Sequence, residues 1–316
     1  MNNNNSHKGN FIKTTPKKLN INDIISMKKN KEKISVITSY DYCSAKICDR
    51  AGIDILLVGD SGGMVMLGYD STVPVNMKEM LIFTKAVANG SRRSLIVADM
   101  PFGSYQIDAR QAVKNAVRFI KSGSDAVKIE GGIEMIDKIR AIIEMGIPVM
   151  GHIGLKPQTT KLWEGYKVQG TTAISGSNLL NEARELEKIG VFAIVLEMVT
   201  LDVAQLISQT LKIPTIGIGS GPHCDGQVLV LHDMLNLYDK IKPKFVKNYA
   251  NLSEIIMNAI GNYIDDIKKV KFPEDLHSFK MQNSEYEQLV KSTKRKTRKK
   301  IPPPPPPSSN RRNKNG

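Results

Sequence analysis

The sequence has few cysteines and no long hydrophobic segment, and each shortage excludes a class of protein. Its 316 residues include three cysteines, Cys43, Cys48 and Cys224, and no Cys-x-x-Cys pair. Three cysteines cannot form the disulfide framework of a small secreted domain, and the missing pair argues against a structural zinc site. No apolar run approaches the roughly 18 residues of a membrane span. The composition therefore predicts an intracellular protein outside the membrane, in the cytoplasm or the mitochondrion.

The glycine motifs of the common nucleotide-binding folds are also missing. No Gly-x-Gly-x-x-Gly follows the first apolar run, and no Gly-x-x-x-x-Gly-Lys-Ser/Thr occurs anywhere. These absences argue against a doubly wound dinucleotide-binding sheet and against a P-loop enzyme. Gly217, Gly219 and Gly221 alternate late in the chain. Their spacing indicates either an anion-binding loop or a tight turn.

Acidic residues are scarce at both ends of the chain, where all the excess positive charge lies. Residues 1–33 carry a net charge of +6 and residues 291–316 a net charge of +10, whereas 34–290 carry −2. The ends also contain four asparagines at 2–5, a basic run at 294–300 and six prolines at 302–307. Such segments bury too little apolar surface to fold. We therefore predict disordered extensions at 1–20 and 286–316 around a catalytic domain at 21–285.

Short apolar runs alternate with helical stretches through the middle of the chain. Eight runs rich in β-branched and aliphatic residues occupy 34–40, 55–60, 95–100, 126–131, 148–153, 193–198, 214–220 and 228–234. Helical periodicity is found at 41–51, 76–89, 109–122, 135–145, 177–189, 201–210 and 253–270. The alternation indicates βαβ units around a parallel sheet whose strands are buried on both faces. Eight such units predict an α/β fold of the (β/α)8 TIM-barrel type, whose usual size is about 250 residues.

Polar residues stand where the apolar runs end. In chain order they are Tyr40, Asp60 with Ser61, Asp99, Lys128 with Glu130, His152, Glu197, and His232 with Asp233. In a barrel the carboxyl ends of the strands meet on one face, which holds the active site. A single carboxylate at such a position is most often a helix cap or turn former. Three carboxylates on three consecutive strands are harder to explain in that way.

The three carboxylates predict a metal site. Converging carboxylates repel one another, so their burial calls for a raised pKa, a basic partner or a cation. Asp60, Asp99 and Glu130 offer only oxygen ligands, which favours Mg²⁺ over Zn²⁺. Lys128, two residues before Glu130, points to the same face of its strand and is available to bind a substrate carboxylate. Glu197 on a separate strand is then free to act as a general base.

Seven blocks of the sequence are distinctive when taken together. They are 38–75, VADMPFGSY (97–105), AVKIEGG (126–132), GIPVMGHIGLKPQ (146–158), GYKVQG (165–170), AIVLEMV (193–199) and 217–237. Over roughly residues 20–280 the chain resembles the ketopantoate hydroxymethyltransferase family, of the phosphoenolpyruvate mutase and isocitrate lyase superfamily. The resemblance implies a (β/α)8 barrel that transfers a one-carbon unit from methylenetetrahydrofolate to 3-methyl-2-oxobutanoate, in pantothenate biosynthesis. It also implies Mg²⁺ and a homo-oligomer, commonly a decamer.

The resemblance assigns roles to individual positions. The positions matching the metal ligands are Asp60, Asp99 and Glu130, and those matching the ketoacid-binding residues are Asp60, Ser61, Asp99 and Lys128. Glu197 matches the proton acceptor, while Tyr40 and His152 match polar positions near the pocket. Gly62 and Met198 stand where the family usually has Leu and Cys. Neither change removes a ligand or the base, although Gly62 is expected to cost about 0.5–1 kcal/mol of order in its loop.

Two alternatives to this function stay open. The first is another Mg²⁺-dependent lyase or mutase of the same superfamily, which would keep the barrel and the metal site. The second is a polyanion-binding protein that acts through its basic tails. A solvated extension is the simpler interpretation of those tails, and nucleic acid is not the expected partner.

Overall fold

A computed structural model of the chain describes residues 17–160, 167–240 and 243–297. The chain forms two compact units, Met1–Ser253 and Glu254–Gly316. The first unit contains a closed barrel of eight parallel strands. The strands are β1 Ile34–Thr38, β2 Ile55–Val58, β3 Leu95–Asp99, β4 Ala126–Glu130, β5 Val149–Gly154, β6 Ala193–Glu197, β7 Thr215–Ile218 and β8 Gly226–Leu229. The predicted (β/α)8 barrel is confirmed.

Helices follow the strands in turn. Those up to β8 are α1 Ile21–Lys29, α2 Tyr42–Ala51, α3 Gly62–Val65, α4 Met77–Gly90, α5 Ala109–Lys121, α6 Ile136–Glu144, α7 Pro157–Thr160, α8 Ala173–Lys188 and α9 Leu201–Thr210. After β8 come α10 Leu231–Met234, α11 Leu252–Lys268 and α12 Asn283–Thr297. Side chains fix several helix starts: Asn76 accepts hydrogen bonds from two amides of α4, and Glu79 bonds back to the amide of Asn76. None of the described helices is long and apolar enough to cross a membrane.

The barrel closes where β8 pairs with β1. In that register Val36 lies opposite Val228, and Ile34 lies opposite Gly226. A Cβ atom on Gly226 would stand 2.5 Å from the carbonyl oxygen of Ile34. Glycine is therefore required at this point, because the two backbones approach too closely for any side chain.

The core has two layers, as the strand patterns predict. One cluster fills the barrel interior and includes Ile34, Val36, Leu57 and Val97. The other lies between the strands and the surrounding helices. The amino-terminal helix α1 closes the bottom of the barrel, since its Ile24 is fully buried against the interior cluster.

A lysine holds α1 in place. The Nζ atom of Lys28 lies 2.8 Å from Oδ2 of Asp225 and donates to the carbonyl oxygens of Ser208 and Ile213 at 2.8 and 2.9 Å. These partners lie in the last turns of α9, in the segment between α9 and β7, and directly before β8. The ammonium group of Lys28 therefore holds α1 against the barrel.

The structure differs from the sequence prediction at two places. The eighth run, predicted as a strand over 228–234, ends at Leu229, and Leu231–Met234 forms the helical turn α10. His232 and Asp233 thus lie on α10 and not on a strand. The second difference is α12 (Asn283–Thr297), which extends beyond residue 285 into the segment where the sequence predicts disorder; its Glu, Gln, Leu and Lys residues are good helix formers. Residues 1–16 and 298–316, which hold the proline run, lie outside the described residues.

Candidate active site

The predicted site residues come together at the carboxyl ends of the strands. One pocket is lined by Asp60, Ser61, Asp99, Lys128, Glu130, His152 and Glu197. Tyr40 does not line this pocket; it is almost completely buried and contacts the pocket residue Ser61. The strand order places these groups on neighbouring strands, from β2 to β6. The strand ends therefore bring these seven side chains to one pocket, as the sequence predicts.

Lys128 and Asp99 form the tightest charged contact in the pocket. Their strands pair with these two residues in register, and Lys128 Nζ lies 2.6 Å from Asp99 Oδ1. Both side chains are buried. Burial alone would lower the pKa of Lys128, but the negative charges of Asp99, Glu130 and Asp60 raise it above its usual value. Lys128 is therefore a permanent cation among three carboxylates.

Asp60 carries the charge that this lysine does not balance. Its backbone amide donates to Asp99 Oδ2 at 3.1 Å, which draws the two residues together. Burial, followed by repulsion from Asp99 and Glu130, raises the pKa of Asp60 well above its usual value. A group of this kind is ready to accept either a proton or a cation.

Gln158, at the start of α7, is a site residue that the sequence did not indicate. Its side-chain Nε2 donates to Asp60 Oδ2 at 2.9 Å, and its backbone amide donates to Glu130 Oε2 at 3.1 Å. Tyr105 in turn donates to Gln158 Oε1 at 2.8 Å. A buried amide thus connects two carboxylates from different strands. The only sequence signal was its place in the 146–158 block, because a lone glutamine after a strand has no periodic pattern.

His152 lies between two glutamates. Its Nε2 is 3.2 Å from Glu197 Oε2, and its Nδ1 is 3.5 Å from Glu130 Oε1. Burial and Lys128 would lower the pKa of His152, but its contacts with Glu130 and Glu197 raise it to about 9. The imidazole is therefore positively charged near neutral pH. It connects the carboxylate cluster to Glu197.

Glu197 ends β6 and reaches the open part of the pocket. Its side chain is 17% exposed, compared with 4% for Glu130. The next residue, Met198, has a φ of 48°, in the left-handed region that side-chain-bearing residues seldom adopt. Such a backbone costs about 1–3 kcal/mol and is found most often at functional sites. The strained turn sets the direction in which the chain leaves Glu197.

Tyr40 supports the opposite edge of the pocket. Its hydroxyl donates to Thr38 Oγ1 at 2.8 Å and lies 2.8 Å from Ser61 Oγ. Gly62 packs directly on this ring, since a Cβ at that position would lie 2.7 Å from Tyr40 Cδ1. Gly62, which the sequence predicts to loosen its loop, is therefore buried against Tyr40 and Phe83. With the Tyr40 ring in this position there is no space for a leucine at residue 62.

Comparison with known proteins identifies the family. Residues 18–275 match the model of the family described as ketopantoate hydroxymethyltransferase. A protein of Nitrosopumilus maritimus named 3-methyl-2-oxobutanoate hydroxymethyltransferase is 56% identical over 269 residues, which cover 85% of this chain and 96% of the relative. The chain belongs to the ketopantoate hydroxymethyltransferase family. It is therefore related to enzymes throughout its barrel.

Solved structures show the same fold at low sequence identity. A phosphonopyruvate hydrolase in complex with oxalate and Mg²⁺ has a TM-score of 0.53 and 11% identity, over 88% of this chain and 98% of its own. A 2,3-dimethylmalate lyase of the PEP mutase/isocitrate lyase superfamily has a TM-score of 0.52 and 15% identity, over 88% and 98%. These similarities show that the chain shares its barrel fold with both enzymes.

The carboxylate side chains of this pocket suit a hard divalent cation. Asp60, Asp99 and Glu130 offer carboxylate oxygens, and burial, followed by repulsion from the other two carboxylates, raises the pKa of Asp60. Within the described part of the chain, no three metal-binding side chains converge on one point. Asp99 contacts Lys128, and Glu130 contacts His152. The charge and the donor type therefore fit a metal, whereas these two side chains are engaged with other partners.

Proposed function

We propose that this chain transfers a hydroxymethyl group from methylenetetrahydrofolate to 3-methyl-2-oxobutanoate, giving 2-dehydropantoate for pantothenate biosynthesis. The observation that carries the proposal is the family match over residues 18–275, which includes every strand of the pocket. Water supplies the hydroxyl oxygen, and tetrahydrofolate is released.

The ketoacid is bound at the carboxylate wall. Asp60, Asp99 and Glu130 would hold Mg²⁺, which as a Lewis acid would polarise the keto group beside the acidic C–H bond. The Lys128 ammonium group is a buried cation beside these carboxylates and pairs with the substrate carboxylate. Ser61, held by Tyr40, offers a hydroxyl to the same substrate.

Glu197 removes the proton from C3 of the ketoacid. Of the two glutamates that contact His152, Glu197 is the more exposed. Nε2 of His152 lies 3.2 Å from Oε2 of Glu197 and holds that carboxylate in position. C3 of the substrate then forms a bond with the one-carbon unit of the folate, and water displaces the folate nitrogen from that carbon, which leaves a hydroxymethyl group and tetrahydrofolate.

The direct test is product formation from the two substrates. We expect 2-dehydropantoate to form in the presence of methylenetetrahydrofolate, 3-methyl-2-oxobutanoate and Mg²⁺, and to stop when a chelator is added. Cleavage of a malate-type C–C bond without folate, in place of this product, would favour the superfamily lyase alternative. Failure to form the product with both substrates present would reject the proposal.

We further propose that the protein is an intracellular homo-oligomer. Helix α11 exposes seven large apolar side chains: Ile255, Ile256, Met257, Ile260, Tyr263, Ile264 and Ile267. Contiguous exposed apolar surface is typical of subunit contacts. Light scattering of the full chain at micromolar concentration tests this, with a monomeric mass as the contrary result.

A further inference from the structure

The pocket has a second wall that the ketoacid chemistry leaves unused. It is formed by the end of β7, by α10 and by residues 243–249, between β6 and β1 in the closed barrel. The whole pocket has a volume of about 1410 Å³. Sites for drug-sized ligands occupy roughly 300–1,000 Å³, so a five-carbon oxo acid fills only a small part of this space. The pocket, of which the second wall is one side, therefore has room for a molecule larger than the ketoacid.

Asp233 is the acidic group of this wall. It lies on α10, lines the pocket and is half-buried. Burial raises the pKa of Asp233 to about 6, and no hydrogen bond or charge from the described residues offsets that effect. A partly desolvated carboxylate without a partner is unfavourable, and it becomes favourable when a ligand supplies N–H donors.

Backbone and side-chain contacts fix this wall in place. The Nδ2 atom of Asn248 donates to the carbonyl oxygen of Asp233 at 2.7 Å. The amide of Tyr249 donates to the carbonyl oxygen of Met234 at 2.9 Å. Residues 243–249 are thereby tied to α10, and Pro243, Lys244, Phe245 and Tyr249 line the same pocket as Asp233.

Phe245 provides an aromatic surface on this wall. A Cβ atom on Gly219 would lie 2.7 Å from Phe245 Cδ1, so the ring packs directly on the glycine backbone after β7. Gly219 has a φ of 66°, which favours glycine at the turn. Of the two earlier interpretations of this glycine loop, the turn is the one that these contacts explain. Lys244, beside Phe245, is exposed at the pocket edge.

We propose that this second wall binds the pterin ring of the folate cosubstrate, with Asp233 accepting its N–H donors and Phe245 packing on its face. A 2-amino-4-oxo pterin carries an amino group and a ring N–H on one edge, which match the two oxygens of a carboxylate. Lys244 is placed to meet the anionic glutamyl end. The inference rests on the proposed function, because it takes folate to be the second substrate.

The test compares the affinities of the two substrates in Asp233→Asn. This variant keeps the shape of the side chain and replaces one acceptor with a donor. We expect the Kd of tetrahydrofolate, measured by calorimetry, to rise about 10- to 100-fold, as for loss of a charged hydrogen-bond pair. The Kd of 3-methyl-2-oxobutanoate, measured with Mg²⁺, should change less than about threefold. Asp239→Asn, an exposed aspartate of the same connection, is the matched control and should change neither value.

A second variant tests the aromatic surface independently. Phe245→Leu keeps an apolar side chain on Gly219 and removes the flat ring, and we expect about 2- to 10-fold weaker tetrahydrofolate binding. Unchanged folate affinity in Asp233→Asn, or an equal loss of ketoacid affinity, would overturn the inference. A wild-type enzyme that makes no product from the two substrates would instead reject the proposed function. The two failures are thus distinguishable.

Discussion

The two ends of the barrel use the same kinds of charged residue in opposite ways. At the amino-terminal end, Asp49 accepts hydrogen bonds from the hydroxyls of Ser91 and Ser94 and from the backbone amides of 92–94. Burial would raise the pKa of Asp49, but these hydrogen bonds lower it. Every oxygen of this carboxylate is satisfied, so its charge stabilises the junction of α2 and β3.

At the carboxyl-terminal end of the barrel, Asp60 is also buried but has different neighbours. Other carboxylates surround it, and its pKa is raised where that of Asp49 is lowered. The difference shows how one residue type can stabilise a fold at one end and prepare a binding site at the other. Neutralising charges at the two ends should therefore have separable effects on stability and on catalysis.

The largest effect is expected from Glu197→Gln. The amide keeps the shape of the side chain but cannot accept a proton, so kcat should fall about 10²–10⁴-fold. Binding of the ketoacid should persist, because the carboxylate wall is intact. Steady-state kinetics and calorimetry measure the two quantities. Glu185→Gln, at a partly exposed position of α8, is the control. A kcat near the wild-type value in Glu197→Gln would show that Glu197 is not the base.

Removal of a proposed metal ligand should weaken Mg²⁺ binding. Asp99→Ala deletes one of three anionic ligands and leaves Lys128 without its 2.6 Å partner. We expect at least about a tenfold higher Mg²⁺ concentration for half-maximal activity, with lower turnover at saturation. Asp202→Ala removes an exposed aspartate from α9 for comparison. An unchanged Mg²⁺ requirement in Asp99→Ala would show that the three-carboxylate site is wrong.

At the opposite end, Asp49→Asn should affect stability and not chemistry. The variant loses acceptor capacity for several buried donors, so we expect about 2–4 kcal/mol lower free energy of unfolding with kcat unchanged. Because the native pKa of Asp49 is lowered, the wild-type advantage exists above its unfolded-state pKa and disappears as the pH falls through the lowered value. Urea unfolding at neutral and acidic pH measures this, and a pH-independent difference would contradict it.

The smallest effect is expected outside the barrel unit. Removal of 298–316, which includes six basic residues, should leave the thermal midpoint and kcat within measurement error. A loss of turnover in the shortened chain would give the tail a catalytic role and reopen the polyanion-binding alternative.

The sequence predicted the barrel and most of the charged pocket, because strand ends follow from the end of each apolar run. It failed at α10, where Val, Leu and Met fit a strand or a helical turn equally well over so few residues. Gln158 was missed because its role depends on contacts with Asp60 and Glu130, which are distant in sequence. The pairing of Asp99 with Lys128 likewise depends on strand register, which the sequence does not state.

Hydrogen exchange at C3 of 3-methyl-2-oxobutanoate in deuterated solvent, without folate, tests the central claim most directly. It isolates proton removal by Glu197 at the carboxylate wall from the second substrate. We predict that the wild-type protein exchanges this hydrogen with Mg²⁺, and that a chelator or Glu197→Gln abolishes most of the exchange. Exchange that continues at the wild-type rate under both changes would contradict the account.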